Sequence, residues 1–172
     1  MNAIPTEAVA GQLCLQCGLC CDGTLFGDVE LTGRREAMRL ESLGLNVDED
    51  DADAELLSLP CAALHTTRCS LYAHRPQCCR TFECRLLQQA QRGTVTVDDA
   101  MARIAEARAQ VQRVKALLAG MTPRRGTRLP RAERVADAVA AVGASPEASR
   151  RAVALERAMT TLTRTIRTTF LD

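Results

Sequence analysis

The sequence lacks several features that would assign it to a familiar class of protein. Of its 172 residues only four are aromatic and none is tryptophan, so a surface on which nucleic-acid bases stack is not expected. No apolar run approaches the ~18 residues of a membrane span, and residues 1–12 have neither the basic nor the apolar segment of a signal peptide. These absences predict a cytoplasmic protein without a membrane segment.

Motifs of common enzyme families are also missing. The chain contains no Walker phosphate loop, dinucleotide glycine fingerprint, zincin helix or serine-hydrolase elbow, and no methyl-donor motif is recognisable. The sequence therefore leaves open whether the protein is an enzyme and indicates no catalytic residue.

Lysine is nearly absent, and charge is divided unevenly along the chain. Residues 1–90 have seven Arg and 13 Asp or Glu, a net charge of −6, whereas residues 91–172 have 15 Lys or Arg and eight acids, a net charge of +7. Such asymmetry is typical of a nucleic-acid surface or of two halves that attract each other. With 21 Arg and one Lys, the arginine content can simply reflect genome composition, so a nucleic-acid partner is not favoured.

Cysteine, by contrast, is abundant. Nine cysteines lie between Cys14 and Cys84, and none follows. In a reducing compartment, dense thiols are more often metal ligands or redox groups than disulfides. An odd count with adjacent pairs at Cys20-Cys21 and Cys78-Cys79 also fits a disulfide framework poorly. The first half is therefore predicted to bind metal.

The spacing of the first cluster, CLQCGLCC at 14–21, suits convergence on one centre. Two-residue spacers let neighbouring thiolates turn onto one ion, so Cys14, Cys17 and Cys20 are candidates for one site. Cys21 is expected to serve a different centre or a different role, because adjacent side chains project apart. The distant cysteines can complete the first site, build a second, or do both: Cys61, Cys69, Cys79 and Cys84.

The spacing leaves the identity of the metal open. Three cysteines at two-residue spacing with a remote fourth are similar to the bacterial ferredoxin run, which favours a 4Fe–4S cluster, although the three-residue spacer and trailing proline are missing here. Eight thiolates also divide into two four-thiolate zinc sites. We favour the iron–sulfur interpretation and keep zinc as its alternative.

The N-terminal half is expected to be rich in loops. We predict a loose lead-in over residues 1–12, turns at Gly18, Gly23 and Gly27, a strand over 28–31, and a helix over 33–43 with Thr32 as its N-cap and Gly44 at its end. The acidic segment 48–55 is interpreted as a surface loop, and residues 61–84 as loops with short helical turns.

The C-terminal half is predicted to form three amphipathic helices. The first begins at a capping box, Thr96-Val97-Asp98-Asp99, and ends at Gly120. A basic linker, GMTPRRGTRLPR, leads to a second helix near 131–142, and Ser145-Pro146-Glu147 opens a third. The expected inward residues are Met101, Ile104, Val111, Val114 and Leu118 on the first helix, Ala132, Val135, Val139 and Val142 on the second, and Ala148, Ala152, Leu155, Met159, Leu162 and Ile166 on the third.

These patterns predict a mainly α protein of two parts. A loop-rich, metal-nucleated cysteine-cluster domain occupies residues 13–88, and a helical hairpin or three-helix bundle occupies 96–170. The apolar stripes are expected to form a core. Their alternative use is a homodimer seam or a groove for an unidentified protein partner, since the third helix keeps a near-heptad pattern.

Three segments together resemble a known family, the CxxCxxCC zinc- or iron-chelating domain family, also called YkgJ-like cysteine-cluster proteins. They are CLQCGLCC at 14–21, LTGRREAMRL at 31–40 and CSLYAHRPQCCRTFEC at 69–84, and the resemblance covers residues 13–88. It implies a metal centre held by eight cysteines: Cys14, Cys17, Cys20, Cys21, Cys61, Cys69, Cys79 and Cys84. Relatives are described as metal-chelating or iron–sulfur oxidoreductase-like, and a flagellin lysine methylase is among the similar proteins.

The sequence also predicts roles for other residues near the cysteines. Cys78 is the ninth cysteine and is interpreted as a partly buried free thiol. His65 and His74 are alternative ligands but are more simply exposed loop residues. Arg75 and Arg80 either offset thiolate charge or are solvated, and Tyr72 is expected to pack over the site.

The sequence thus favours a cytoplasmic metal-binding protein with an iron–sulfur or zinc centre. The expected role is electron transfer, redox sensing or assistance to a partner enzyme. Two alternatives stay open: a structural zinc module that presents the helices to another macromolecule, and a redox or methylase-like enzyme.

Overall fold

The computed structural model describes residues 6–50, 52–119, 121, 131–141 and 145–171. Within them, seven α-helices are separated by short strands. The helices are α1 (Thr6–Cys17), α2 (Arg34–Ser42), α3 (Gln77–Thr81), α4 (Arg85–Gln91), α5 (Val97–Ala119), α6 (Arg131–Ala140) and α7 (Pro146–Ile166). The strands are β1 (Asp28–Glu30), β2 (Val47–Glu49), β3 (Glu55–Ser58), β4 (Leu64–His65) and β5 (Arg68–Cys69). A 3₁₀ turn covers Tyr72–His74, and a π-helical turn, Arg167–Leu171, extends α7.

Two small antiparallel sheets lie in the N-terminal half. In the larger, β3 lies between β1 and β2, so that Leu57 pairs with both Val29 and Val47. The smaller consists of β4 and β5, with Leu64 opposite Cys69. Helix α2 packs against β2 and β3. Its buried Ala37 and Leu40, together with Leu57, belong to a core that we call the sheet core.

A second and larger core lies among the helices, and we call it the helical core. Helix α7 packs against both α5 and α6, while α1 packs against α4 and α5. Leu155 and Leu162 of α7 are completely buried. Leu13 of α1 and Leu86 of α4 belong to the same core. The helical core therefore contains residues from both predicted parts of the chain.

The mainly α prediction is confirmed, but several N-terminal details were wrong. Residues 6–12 are helical in α1 rather than a loose lead-in. The N-cap of α2 is Gly33, not Thr32, although the backbone N–H of Thr32 bonds to the Glu36 carboxylate at 2.9 Å. The acidic segment is partly a β-hairpin, because β2 includes residues 48–49 and β3 begins at Glu55.

The C-terminal helices agree closely with their patterns. Thr96 Oγ1 accepts the Asp99 N–H at 3.1 Å, and Ser145 Oγ accepts the Ala148 N–H at 3.4 Å, so both predicted caps are confirmed. Ala132 is exposed instead of inward, because Arg131, Val135 and Ala138 form the buried face of α6. Gly120, Val142, Gly143 and residues 122–130 of the basic linker lie outside the described residues.

None of the helices in the described part of the chain combines the length and the apolar character that crossing a membrane requires.

Candidate metal centre

All nine cysteines lie in described segments, and all are free thiols. Helix α1 carries Cys14 and Cys17, and the turn that follows it carries Cys20 and Cys21. The remaining cysteines come from the segment after the larger sheet: Cys61 before β4, Cys69 in β5, Cys78 and Cys79 in α3, and Cys84 at the N-cap of α4. Cys14 is exposed, whereas the others are partly buried.

Gly18 forms the turn that separates Cys14 and Cys17 from Cys20 and Cys21. Its φ is +68°, a conformation that other residues rarely adopt. Its carbonyl accepts the N–H groups of Cys21 at 3.1 Å and Asp22 at 3.0 Å. A Cβ at this position would lie 3.1 Å from the Cα of Thr67. The backbone of the cysteine turn therefore passes close to the β4–β5 hairpin, and a side chain at this position would crowd Thr67.

Four thiols form what we call the first thiol group: Cys14, Cys17, Cys20 and Cys84. Packing of α1 against α4 brings these segments together. Burial raises the pKa of Cys17 to about 12, and the thiolates of Cys84 and Cys14 add to the shift although the Leu19 N–H opposes it. Burial is the largest cause of the raised pKa of Cys20, and the thiolates of Cys17, Cys84, Cys21 and Cys14 add to it. The four thiols of this group therefore influence one another's ionisation, and Cys21 also influences that of Cys20.

A second thiol group consists of Cys21, Cys61, Cys69 and Cys79. The N–H of Cys61 bonds to the carbonyl of Cys21 at 2.8 Å, which ties the two cysteine-bearing segments directly. Burial is the largest cause that raises the pKa of Cys21 to about 12, and the thiolates of Cys61 and Cys69 add to the shift. The pKa of Cys79 is raised by the hydrogen bond between its thiol and that of Cys78, by burial, and by the thiolates of Cys78, Cys21 and Cys61. Cys20 is thus influenced most by Cys17 and Cys84, and Cys21 by Cys61 and Cys69, although Cys21 also acts on Cys20.

Cys78 differs from the other cysteines. It packs against the sheet core, and its thiol forms a hydrogen bond with that of Cys79. This hydrogen bond lowers the pKa of Cys78, whereas burial opposes the shift. Cys78 thus lies beside the second thiol group and interacts chiefly with its own neighbour.

Arg75 connects an aromatic ring to the cysteines. Its guanidinium lies 3.8 Å from the centroid of the Tyr72 ring, and its Nη1 donates to the carbonyl of Cys79 at 3.3 Å. Partial desolvation raises the pKa of Cys14, the Cys84 thiolate adds to the shift, and the Arg75 charge opposes it. Arg75 therefore offsets thiolate charge. The tyrosine itself is 42% exposed.

Arg80 and the two histidines have other surroundings. Arg80 is exposed and donates to the carbonyls of Arg75 at 2.8 Å and Ala73 at 2.7 Å, so it braces the backbone of the 3₁₀ turn. His65 lies in β4 opposite Arg68, and His74 ends the 3₁₀ turn. Both histidines are exposed.

Several polar contacts that hold the cysteine segments were not evident in the sequence. Arg108 of α5 donates to the carbonyl of Cys17 at 2.9 Å. Glu36 of α2 accepts the N–H of Gln77, at the start of α3, at 3.0 Å. Arg131 of α6 bonds to Asp22, the residue after Cys21, at 3.2 Å. The last pair joins residues 109 positions apart, and no local pattern identifies such a contact.

The two thiol groups fit zinc or iron chemically. Both metals accept thiolates, and four sulfurs complete a closed tetrahedral shell. Among the described residues, however, no three His, Cys, Asp or Glu side chains are placed so that they could already hold a metal ion. Metal binding would therefore have to draw the neighbouring thiols closer together as well as deprotonate them.

Comparison with known proteins agrees with this donor chemistry. A family model described as "CxxCxxCC: Putative zinc- or iron-chelating domain" matches residues 13–110, more than half of the chain. The match includes all nine cysteines and the first part of α5. No curated protein and no solved structure matches the sequence.

Proposed function

Because this chain belongs to the CxxCxxCC family of zinc- or iron-chelating domains, we propose that its two thiol groups each bind a metal centre. The observations that support the proposal are the packing of α1, which carries Cys14 and Cys17, against α4, which begins at Cys84, and the hydrogen bond from the Cys61 N–H to the Cys21 carbonyl. Four thiolates are what one closed centre requires. A single structural site would leave half of these cysteines without a role.

The first thiol group would hold the iron–sulfur cluster, for which we favour the 4Fe–4S type. Cys14, Cys17 and Cys20 supply three sulfurs at two-residue spacing, and Cys84 supplies a remote fourth, as in cysteine-ligated clusters. Such a cluster supplies one-electron redox chemistry when bound. The chain itself partly buries Cys17, Cys20 and Cys84 and leaves Cys14 exposed. The Arg75 charge opposes the raised pKa of Cys14, and Arg108 donates to the Cys17 carbonyl.

The second thiol group lacks the repeated two-residue spacing. Its members come from the cysteine turn, the β4–β5 hairpin and α3. A centre held by Cys21, Cys61, Cys69 and Cys79 would therefore join three separate segments. We propose that it is chiefly structural, since a metal shared by distant segments adds directly to folding stability.

The role that we propose is electron transfer, redox sensing or assistance to a partner enzyme in the cytoplasm. The partner would be an unidentified protein or a second copy of the chain at the C-terminal helices. This is supported by the open groove of about 1100 Å³ between α6 and α7. The exposed apolar side chain of Val153 on α7 also supports it.

A purely structural zinc module is the second candidate. It is favoured by the position of the thiols between the two cores, because Cys17 and Cys84 pack against the helical core while Cys61 and Cys69 pack against the sheet core. Zinc at this junction would stabilise the contact between the cores without redox chemistry.

Anaerobic purification followed by visible absorption spectroscopy and analysis of iron, sulfide and zinc distinguishes these functions. A brown protein that is bleached by dithionite and contains iron and sulfide supports the cluster. A colourless protein with stoichiometric zinc supports the structural module. A reduced protein that takes up neither metal refutes both.

Matched cysteine variants then test the ligand assignment. Cys17→Ser should lower the metal content, because Cys17 belongs to the first thiol group, whereas Cys78→Ser should leave it unchanged. Equal metal content in the two variants would contradict the assignment.

A further inference from the structure

One buried arginine from the C-terminal helices reaches the turn that carries Cys20 and Cys21. Arg131, the first residue of α6, is only 4% exposed. Its Nη2 donates to both the carbonyl and the Oδ2 of Asp22 at 3.2 Å, and its Nη1 lies 3.5 Å from Oδ1. Nη1 also donates to the hydroxyl of Thr24. A single guanidinium thus holds backbone and side-chain atoms within three residues of Cys21.

Asp22 is the centre of this arrangement. Its carboxylate is also 4.0 Å from the ammonium group of Lys115 on α5, and it accepts the hydroxyl of Thr24. The side chain of Asp22 is 17% exposed and that of Lys115 is 46% exposed, so Arg131 is the well-buried cation of the pair. A buried guanidinium with bonds to a carboxylate and a carbonyl fixes geometry more strictly than a surface ion pair.

The position of Asp22 gives this contact its consequence for metal binding. Asp22 directly follows Cys21, and its own N–H bonds to Gly18. The carbonyl of Cys21 accepts the N–H of Cys61 at 2.8 Å, so this turn links the first four cysteines to the segment that carries the others. Holding Asp22 therefore holds the point at which the two cysteine-bearing segments meet. Arg131 itself lies beyond residues 13–110, which match the metal-binding family.

We infer that Arg131 is a positioning residue for the metal-binding turn, and that it couples metal binding to the docking of α6. This inference rests on the proposed function. Coupling between two events is reciprocal in free energy. If docked α6 favours the turn that binds metal, bound metal favours docked α6 equally. The C-terminal helices would thereby respond to the metal content of the cysteine domain.

Zinc titration of the full-length reduced protein, with a chromophoric chelator as competitor, tests the positioning role. Removing a residue that orients metal ligands typically weakens metal affinity about 10- to 100-fold, and we expect a loss in this range for Arg131→Gln. Arg131→Lys keeps the charge but loses the planar fork, so it should give a smaller, severalfold loss. Arg150→Gln, which removes an exposed arginine of α7, is the matched control and should bind zinc as tightly as the unchanged protein.

Hydrogen exchange of α6, measured with and without zinc, tests the coupling. Zinc should slow exchange over residues 131–140 in the unchanged protein and in Arg150→Gln, and this protection should be lost in Arg131→Gln. A merely structural role for Arg131 would not make α6 exchange depend on zinc.

The possible results separate this inference from the proposed function. Normal zinc affinity in Arg131→Gln, or α6 exchange that ignores zinc in the unchanged protein, would overturn the inference alone. If Arg131→Gln does not fold, Arg131→Lys decides, and unchanged affinity in that variant overturns the inference. An unchanged protein that binds neither zinc nor iron overturns the proposed function and the inference together.

Discussion

At the scale of single residues, Gly18 is the position where backbone geometry most directly controls the cysteine turn. Its φ of +68° costs a residue with a side chain about 1–2 kcal/mol, and a Cβ would also press on the Thr67 backbone at 3.1 Å. Gly18→Ala should therefore lower the free energy of unfolding by at least this amount, as measured by chemical denaturation.

Gly11 provides the matched comparison for this prediction. It lies inside α1, and a Cβ added there would meet nothing within 4 Å. Gly11→Ala should raise stability by up to about 1 kcal/mol, because alanine favours the helix over glycine. Equal effects of the two substitutions would show that the geometry of Gly18 is unimportant.

Glu36 is a second residue with a specific expected effect. Burial opposes its ionisation, but the N–H groups of Thr32 and Gln77 together with the Arg39 charge outweigh burial and lower its pKa. Glu36→Gln replaces one acceptor oxygen by a donor, so the free energy of unfolding should fall by about 1–2 kcal/mol at neutral pH. Chemical denaturation of the reduced protein measures it.

The pH dependence of this effect follows from the direction of the pKa shift. A carboxylate with a lowered folded pKa contributes its stability above its ordinary pKa of 4.5 and loses it as the pH falls through the lower folded value. The difference between the unchanged protein and Glu36→Gln should therefore shrink in acid. Glu41→Gln on the exposed side of α2 is the control, and a Glu36→Gln effect that stays constant with pH would contradict the account.

At the scale of elements, the start of α5 shows how reliably local chemistry predicts a helix. The hydroxyl of Thr96 accepts the Asp99 N–H at 3.1 Å and donates to the Asp99 carboxylate at 2.8 Å. Thr96→Ala should cost about 1 kcal/mol, as for other N-caps. Thr160→Ala, which removes an exposed hydroxyl within α7, should be neutral or stabilising. A thermal melt of each variant decides, and equal melting temperatures would argue against the cap.

The elements that the sequence predicted well are those determined by local patterns. Helix α7 has an N-cap at Ser145 and a buried apolar stripe, both visible in the sequence. Helix α1 was missed because its first turns carry no strong amphipathic pattern, and its burial depends on distant α4 and α5. The β2–β3 hairpin was missed because its acidic residues are typical of a loop, while Glu55 is buried against Arg34 at 3.0 Å.

The candidate site shows the same division between local and distant information. The spacing of Cys14, Cys17 and Cys20 predicts one shared centre, and this stays a prediction. Neither the assignment of Cys84 to the first thiol group nor that of Cys61 to the second could be obtained from spacing. Those assignments depend on the packing of α1 against α4 and on the backbone hydrogen bond from the Cys61 N–H to the Cys21 carbonyl.

At the scale of the whole molecule, the cysteines lie where two hydrophobic cores approach each other. The helical core includes α1 and α4, the sheet core includes α2 and β3, and the thiol groups contact both. Structural zinc sites can contribute on the order of 10 kcal/mol to folding. Metal should therefore act on the stability of the entire chain and not only on one loop.

The central claim is that the eight thiols bind metal as two separate sets of four. Metal content per chain, measured by elemental analysis in parallel for the unchanged protein, Cys17→Ser, Cys61→Ser and the double variant, tests it most directly. The account predicts that each single variant loses the metal of its own group and keeps that of the other, while the double variant loses both. Single variants that lose all metal, or that lose none, would contradict it.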